Sequence, residues 1–170
     1  METQKSTAEK FGEVLKKFDT AMLTTVTGTG EMHTRPMAIA EIESTGDVIF
    51  FTDKNSAKIQ ELQQDSHVAV SCQNGWKDSL SFSGKAEIFH DIETAKRIWR
   101  KTYQTWFPEG PDDPNLMMIR IRSERGEYWD NSGVEGVKYI LKAIKAVATG
   151  KRPSPDSVDE HGTVDFGRRV

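Results

Sequence analysis

Thr52, Ser56 and Lys58 are the side chains whose types and spacing could do chemistry. They lie in Phe50-Phe51-Thr52-Asp53-Lys54-Asn55-Ser56-Ala57-Lys58, behind the apolar run Val48 to Phe51 and ahead of a helical pattern with Ile59 and Leu62 three apart. A strand that hands over to a helix in this way gathers two hydroxyls and an ammonium beside the free amides of the helix N-terminus, a setting that holds a phosphate dianion. A plainer reading stands beside it: Thr-Asp ahead of a helix often only caps it, and a lysine in the first turn often sits in solvent.

His33-Thr34-Arg35-Pro36-Met37 could complete such a site. An arginine in a half-apolar strand either points to water or turns inward, and inward it needs an anion. Turned inward beside the 52–58 segment, its guanidinium would add a second cation to a phosphate clamp. Pro36 and Met37 offer an apolar, polarizable surface suited to an aromatic ring, or are ordinary core. In Tyr128-Trp129-Asp130, the tryptophan is either core packing or a platform edging onto a planar ligand.

Other motifs fall away. The four histidines (33, 67, 90, 161) lack a second ligand type at zinc spacing, so no metal is expected. Cys72, the only cysteine, lies in a strand pattern and reads as a small core residue. Ser83-Gly84-Lys85-Ala86 resembles the end of a nucleotide-binding loop, but Ser79 stands where the loop glycine belongs and Ala86 where a magnesium-binding hydroxyl belongs. No catalytic acid, base or nucleophile stands out.

The elements that must position these residues follow from periodicity and punctuation. Ser6 and Glu9 fit a capping box for a helix over 6–18. Strands are predicted over 21–27, 32–42, 48–52, 67–73, 80–89 and 116–122, with 127–130 as another short strand or rim. A helix capped by Asp91 is predicted to run to Trp106-Phe107-Pro108, and another spans Val134 to Ala148. The first strands are joined by turns too short for parallel crossovers. The expected fold is therefore mainly β, or α+β: an antiparallel barrel decorated by helices. The chain of 170 residues reads as one domain over 1–150 with an arm over 151–170, rich in proline, glycine and charge. A net charge of −3 gives no general reason to bind nucleic acid or an anionic membrane. No apolar run reaches the length of a membrane span, and with a single cysteine the expectation is a cytoplasmic protein.

Together these segments resemble the general stress protein branch of the pyridoxamine 5'-phosphate oxidase-like flavoproteins. The matching residues are Thr34-Arg35-Pro36-Met37, Phe50-Phe51-Thr52 with Ser56 and Lys58, Ser83 to Glu87, Trp106-Phe107-Pro108 to Pro114, Glu127 to Asp130, Thr149 to Pro153 and Glu160-His161-Gly162. The resemblance implies a six-stranded split β-barrel binding FMN, or FAD in some members, at the interface of a homodimer. It implies that Arg35, Thr52, Ser56 and Lys58 hold the flavin phosphate and that Pro36, Met37 and Phe51 line its flank. Ser79 falls where the oxidase presents a glutamine to FMN, and Trp129 is the candidate to pack near the isoalloxazine, across the dimer seam. Ala57 replaces a phosphate-binding arginine of the oxidase and Ala40 a lysine near the flavin, while the arm ending in Phe166-Gly167-Arg168-Arg169-Val170 lacks the oxidase's substrate-phosphate motif. Neither pyridoxamine phosphate nor pyridoxine phosphate is therefore the expected substrate. The leading expectation is an FMN-dependent oxidoreductase of unknown substrate, the alternative a non-catalytic flavin carrier or sensor; a deazaflavin or haem ligand is a minor third.

Overall fold

The computed structural model of the chain describes residues 6–75, 77–130 and 161–167. Among the described residues there are seven strands: β1 (Thr20–Val26), β2 (Met32–Ile42), β3 (Val48–Asp53), β4 (His67–Asn74), β5 (Asp78–Phe89), β6 (Leu116–Asp130) and β7 (His161–Asp165). Helices α1 (Thr7–Leu15), α2 (Ala57–Gln64) and α3 (Ile92–Ile98) flank them. All strand pairs are antiparallel, in the order β3-β2-β1-β4-β5-β6-β7. A further β3–β6 pairing, Val48 with Ile121 through Asp53 with Leu116, closes the first six into a barrel and leaves β7 outside.

Alternation along the strands builds the interior. Leu23, Ile39, Val48, Phe50, Val70, Leu80, Phe82, Ile119, Ile121 and Tyr128 are buried in one cluster, joined by Phe11, Val14 and Leu15 of α1. The Ser6 hydroxyl accepts from the Glu9 amide and the Glu9 carboxylate accepts from the Ser6 amide, the reciprocal cap that starts α1. The opposite side of β3 feeds a second core outside the barrel: Ile49 and Phe51 pack with Ala40, Leu116 and Met118 and with Ala95, Ile98, Tyr103 and Phe107 from the α3 region.

The barrel has one open seam. β2 pairs with β1 along Met32 to Ala38, but with β3 only from Ile39 onward, and a bulge interrupts that pairing between Ile39 and Glu41. The first half of β2 and the last three residues of β3 therefore diverge. Pro36 sits in this one-sided half of β2, where a strand tolerates a missing N–H.

Two expectations are corrected. The helix from Asp91 ends at Ile98, because Trp99 and Arg100 are extended, and a separate 3-10 turn covers Lys101–Thr105. Trp99 leaves helical geometry to join a ring cluster with Phe51, Tyr103 and Phe107. The segments 116–122 and 127–130 are one 15-residue strand, β6. Within the arm, His161–Asp165 pairs with Arg125 to Trp129 of β6. The helix expected over 134–148 lies outside the described residues.

Candidate functional site

The open seam is also a cavity, of about 470 Å3, whose lining includes Arg35, Pro36, Met37, Phe51, Thr52 and Lys58. Its remaining walls come from Thr20, Ala38 and Asp53, and from Tyr103, Trp106 and Phe107 beyond α3. Its size lies within the range of small-molecule sites.

At the end of β3, Thr52 is buried, and its hydroxyl lies 3.1 Å from the Ser56 hydroxyl and accepts from the Lys58 Nζ at 3.1 Å. Ser56 occupies the N-cap position of α2 but makes no capping hydrogen bond with its side chain, so its hydroxyl stays with Thr52. Burial and the neighbouring Arg35 charge hold the Lys58 ammonium below the ordinary lysine range, against the opposing pull of Glu61 and Asp53. A half-buried lysine so placed is stabilised by an anion. The hydroxyls, the cation and the first amides of α2 thus form a donor set of the kind that fits a phosphate.

Arg35 turns inward, and its anion is already part of the fold. The guanidinium donates to the Thr25 hydroxyl and, at 2.9 Å, to the carboxylate of Glu61 on α2. Glu61 also accepts from Thr25 and lies 2.7 Å from the His33 Nδ1. Burial alone would raise the Glu61 carboxyl, but hydrogen bonds from Thr25, His33 and Arg35, with the Arg35 charge, pull it down to about 2. Reasoning from sequence passed over Thr25 and Glu61. The available signal was that Glu61 falls between the apolar positions Ile59 and Leu62 and three residues after Lys58.

Ser79 and Trp129 lie elsewhere. They face each other across β5 and β6, and neither lines the cavity within one chain. Trp129 is partly exposed and stacks on His161 of β7 with ring centroids 5.1 Å apart. Trp106, from the Trp-Phe-Pro segment, is an exposed part of the cavity wall, while Tyr103 beneath it donates to the Ile39 carbonyl at 3.4 Å. Cys72 is buried in the barrel, and burial pushes its thiol up to about 12.

With this geometry in view, similarity to known proteins is informative. Residues 6–154 match the family model described as pyridoxamine 5'-phosphate oxidase like. The chain belongs to the pyridoxamine 5'-phosphate oxidase-like family. It is 32% identical over 149 residues to protein bli-3 of Neurospora crassa, covering 82% of this chain and 71% of that protein. It is 28% identical over 125 residues to general stress protein 26 of Bacillus subtilis, covering 71% of this chain and 86% of that one. Among solved structures, the general stress FMN/FAD binding protein from Xanthomonas citri is 32% identical, with a TM-score of 0.63 over 74% of this chain and 89% of that one. As for membranes, no helix among the described residues is long and apolar enough to cross one.

Proposed function

We propose that the seam cavity binds FMN and that the protein is an FMN-dependent oxidoreductase, its substrate other than pyridoxamine phosphate. The observation that carries this reading is the half-buried Lys58 ammonium, joined to Thr52 and through it to Ser56, at one wall of a largely apolar cavity. Lys58, Thr52, Ser56 and the inward Arg35 would hold the phosphate. Pro36, Met37 and Phe51 would present a smooth apolar flank to the ring system, and Trp106 and Phe107 would limit the access of water. FAD shares the ring system but carries a diphosphate in place of the terminal phosphate. When bound, the flavin supplies hydride and electron transfer, and the protein contributes orientation and electrostatics.

Homodimerisation belongs to the same proposal. Met22, Ala69 and Ser71 are exposed on the adjoining strands β1 and β4, and Trp129 is exposed on β6. Covering this face with a second copy would bury it and bring Trp129, and Ser79 beside it, towards the partner's cavity.

The alternative, a flavin carrier or sensor without turnover, draws on a different observation. Of the acidic groups lining the cavity, the Asp53 carboxylate accepts from the Asn55 amide at 2.7 Å and the Tyr103 hydroxyl is engaged with Ile39. Each is already engaged in a hydrogen bond within the fold.

The test begins with the visible spectrum of the purified protein and its titration with FMN. Stoichiometric uptake is expected, with loss of at least about a hundredfold in affinity for Arg35→Ala combined with Lys58→Ala, since charge-assisted hydrogen bonds each contribute about 1.5–3 kcal/mol. A folded double variant that keeps its flavin would refute the phosphate assignment. Reduction of the bound flavin by NADH or NADPH, and its reoxidation by an acceptor, separates the oxidoreductase from the carrier.

A further inference from the structure

We propose that Glu61 is a counter-charge built into the anion site, acting through Arg35 to hold down the site's affinity for phosphate. This rests on the flavin-binding reading but adds a residue and a direction to it. The geometry is specific: Glu61 is 7% exposed, and its two carboxylate oxygens receive Thr25, His33 and the Arg35 guanidinium, which also donates to Thr25. Arg35 lines the cavity and has spent two of its donor nitrogens on this internal network before any ligand arrives.

The charges around the cradle balance. Lys58 and Arg35 are cationic, while Glu61 and Asp53 are the carboxylates that act on Lys58 from the other side. A phosphate dianion entering beside Lys58 is attracted by two cations and repelled by two carboxylates, of which Glu61 cannot move away, because three partners fix it. The buried position keeps this repulsion from being screened as a surface charge would be. Glu61 keeps its charge throughout the neutral range, since its carboxyl is held at about 2. The consequence is a site that takes a phosphorylated ligand without gripping it as tightly as its cations alone would allow.

Glu61→Gln removes the charge and keeps the shape; Glu61→Met removes the charge and the hydrogen bonds; Glu61→Asp keeps the charge. The probes are FMN and riboflavin, which share the ring system and differ in the phosphate, titrated by quenching of flavin fluorescence. Removing the charge is expected to tighten FMN binding on the order of tenfold and leave riboflavin unchanged. The ratio of the two affinities should therefore rise in Glu61→Gln, and in Glu61→Met where that variant folds, and stay close to wild type in Glu61→Asp. Loss of packing alone would weaken both ligands together and leave the ratio in place. An unchanged or lowered ratio in a folded Glu61→Gln protein overturns the proposal, as does the failure of both neutral variants to fold, which would make Glu61 a residue of stability only. Failure of the wild type to bind either ligand strikes instead at the flavin reading.

Discussion

At the scale of single residues, the carboxylate of Glu61 ties the proposed anion site to the stability of the fold. Its carboxyl is held at about 2 in the folded chain against an ordinary value of 4.5. A group lowered on folding stabilises the native state above its unfolded value and loses that contribution as pH falls towards its folded one. Thermal unfolding followed by circular dichroism should therefore show a melting temperature that drops between about pH 4.5 and pH 2. Glu61→Gln should flatten this part of the drop, and an equally steep decline in the variant would show that other groups drive it. The hydroxyl and lysine side of the site was legible in the sequence because Thr52, Ser56 and Lys58 are local to one turn. Glu61 was not, because its meaning depends on Thr25, His33 and Arg35 from two other strands, and a glutamate in a short helix reads as solvated until those strands are placed beside it.

At the scale of elements, the strands were easiest to read where burial alternates simply and hardest where tertiary contacts impose a glycine or a polar residue. β6 is the clearest case. Ser123, Glu124, Arg125 and Gly126 look like a break between two short strands, yet the Ser123 amide and hydroxyl meet the Asp47 carboxylate at 3.1 Å and the Gly46 carbonyl at 2.8 Å, so a polar residue is satisfied in the strand interior. Gly126 lies under the buried Phe11 ring: a Cβ there would come within 2.4 Å of it. On the facing strand, beside the register shift between Ser83 and Gly84, a Cβ on Gly84 would sit 2.1 Å from the Arg122 carbonyl oxygen. Backbone cannot give way as a flexible side chain does, so Gly84→Ala should cost about 3 kcal/mol, read as a shift in the urea midpoint. A change within experimental error would mean that β5 and β6 can separate at the bulge without penalty. The α3 boundary was missed for a related reason: Ile92, Ala95, Ile98 and Trp99 keep a helical period up to the point where Trp99 is drawn into the aromatic cluster.

At the scale of the whole molecule, the antiparallel, helix-decorated barrel followed from short connections between alternating strands. Which strands close it was not legible, since nothing local to β3 or β6 announces their pairing across more than sixty residues of chain. The proposed dimer is tested at this scale. Ala69→Asp places a charge on the exposed β1–β4 face, on a strand that β1 separates from the cavity-lining β2. Light scattering should report a monomer, and gel filtration should strip FMN from it; a monomer that retains flavin would separate the cofactor site from any interface. A different consequence comes from β6 itself. Its first residues knit to β3 and its last ones to β7, with β5 alongside throughout, so its backbone is shared among three neighbours. β7 is the last of these and the one that lies outside the barrel. A chain lacking it would leave the 125–129 stretch of β6 with unclaimed amides and carbonyls, an invitation for another molecule's strand to dock there and for soluble protein to become polymer.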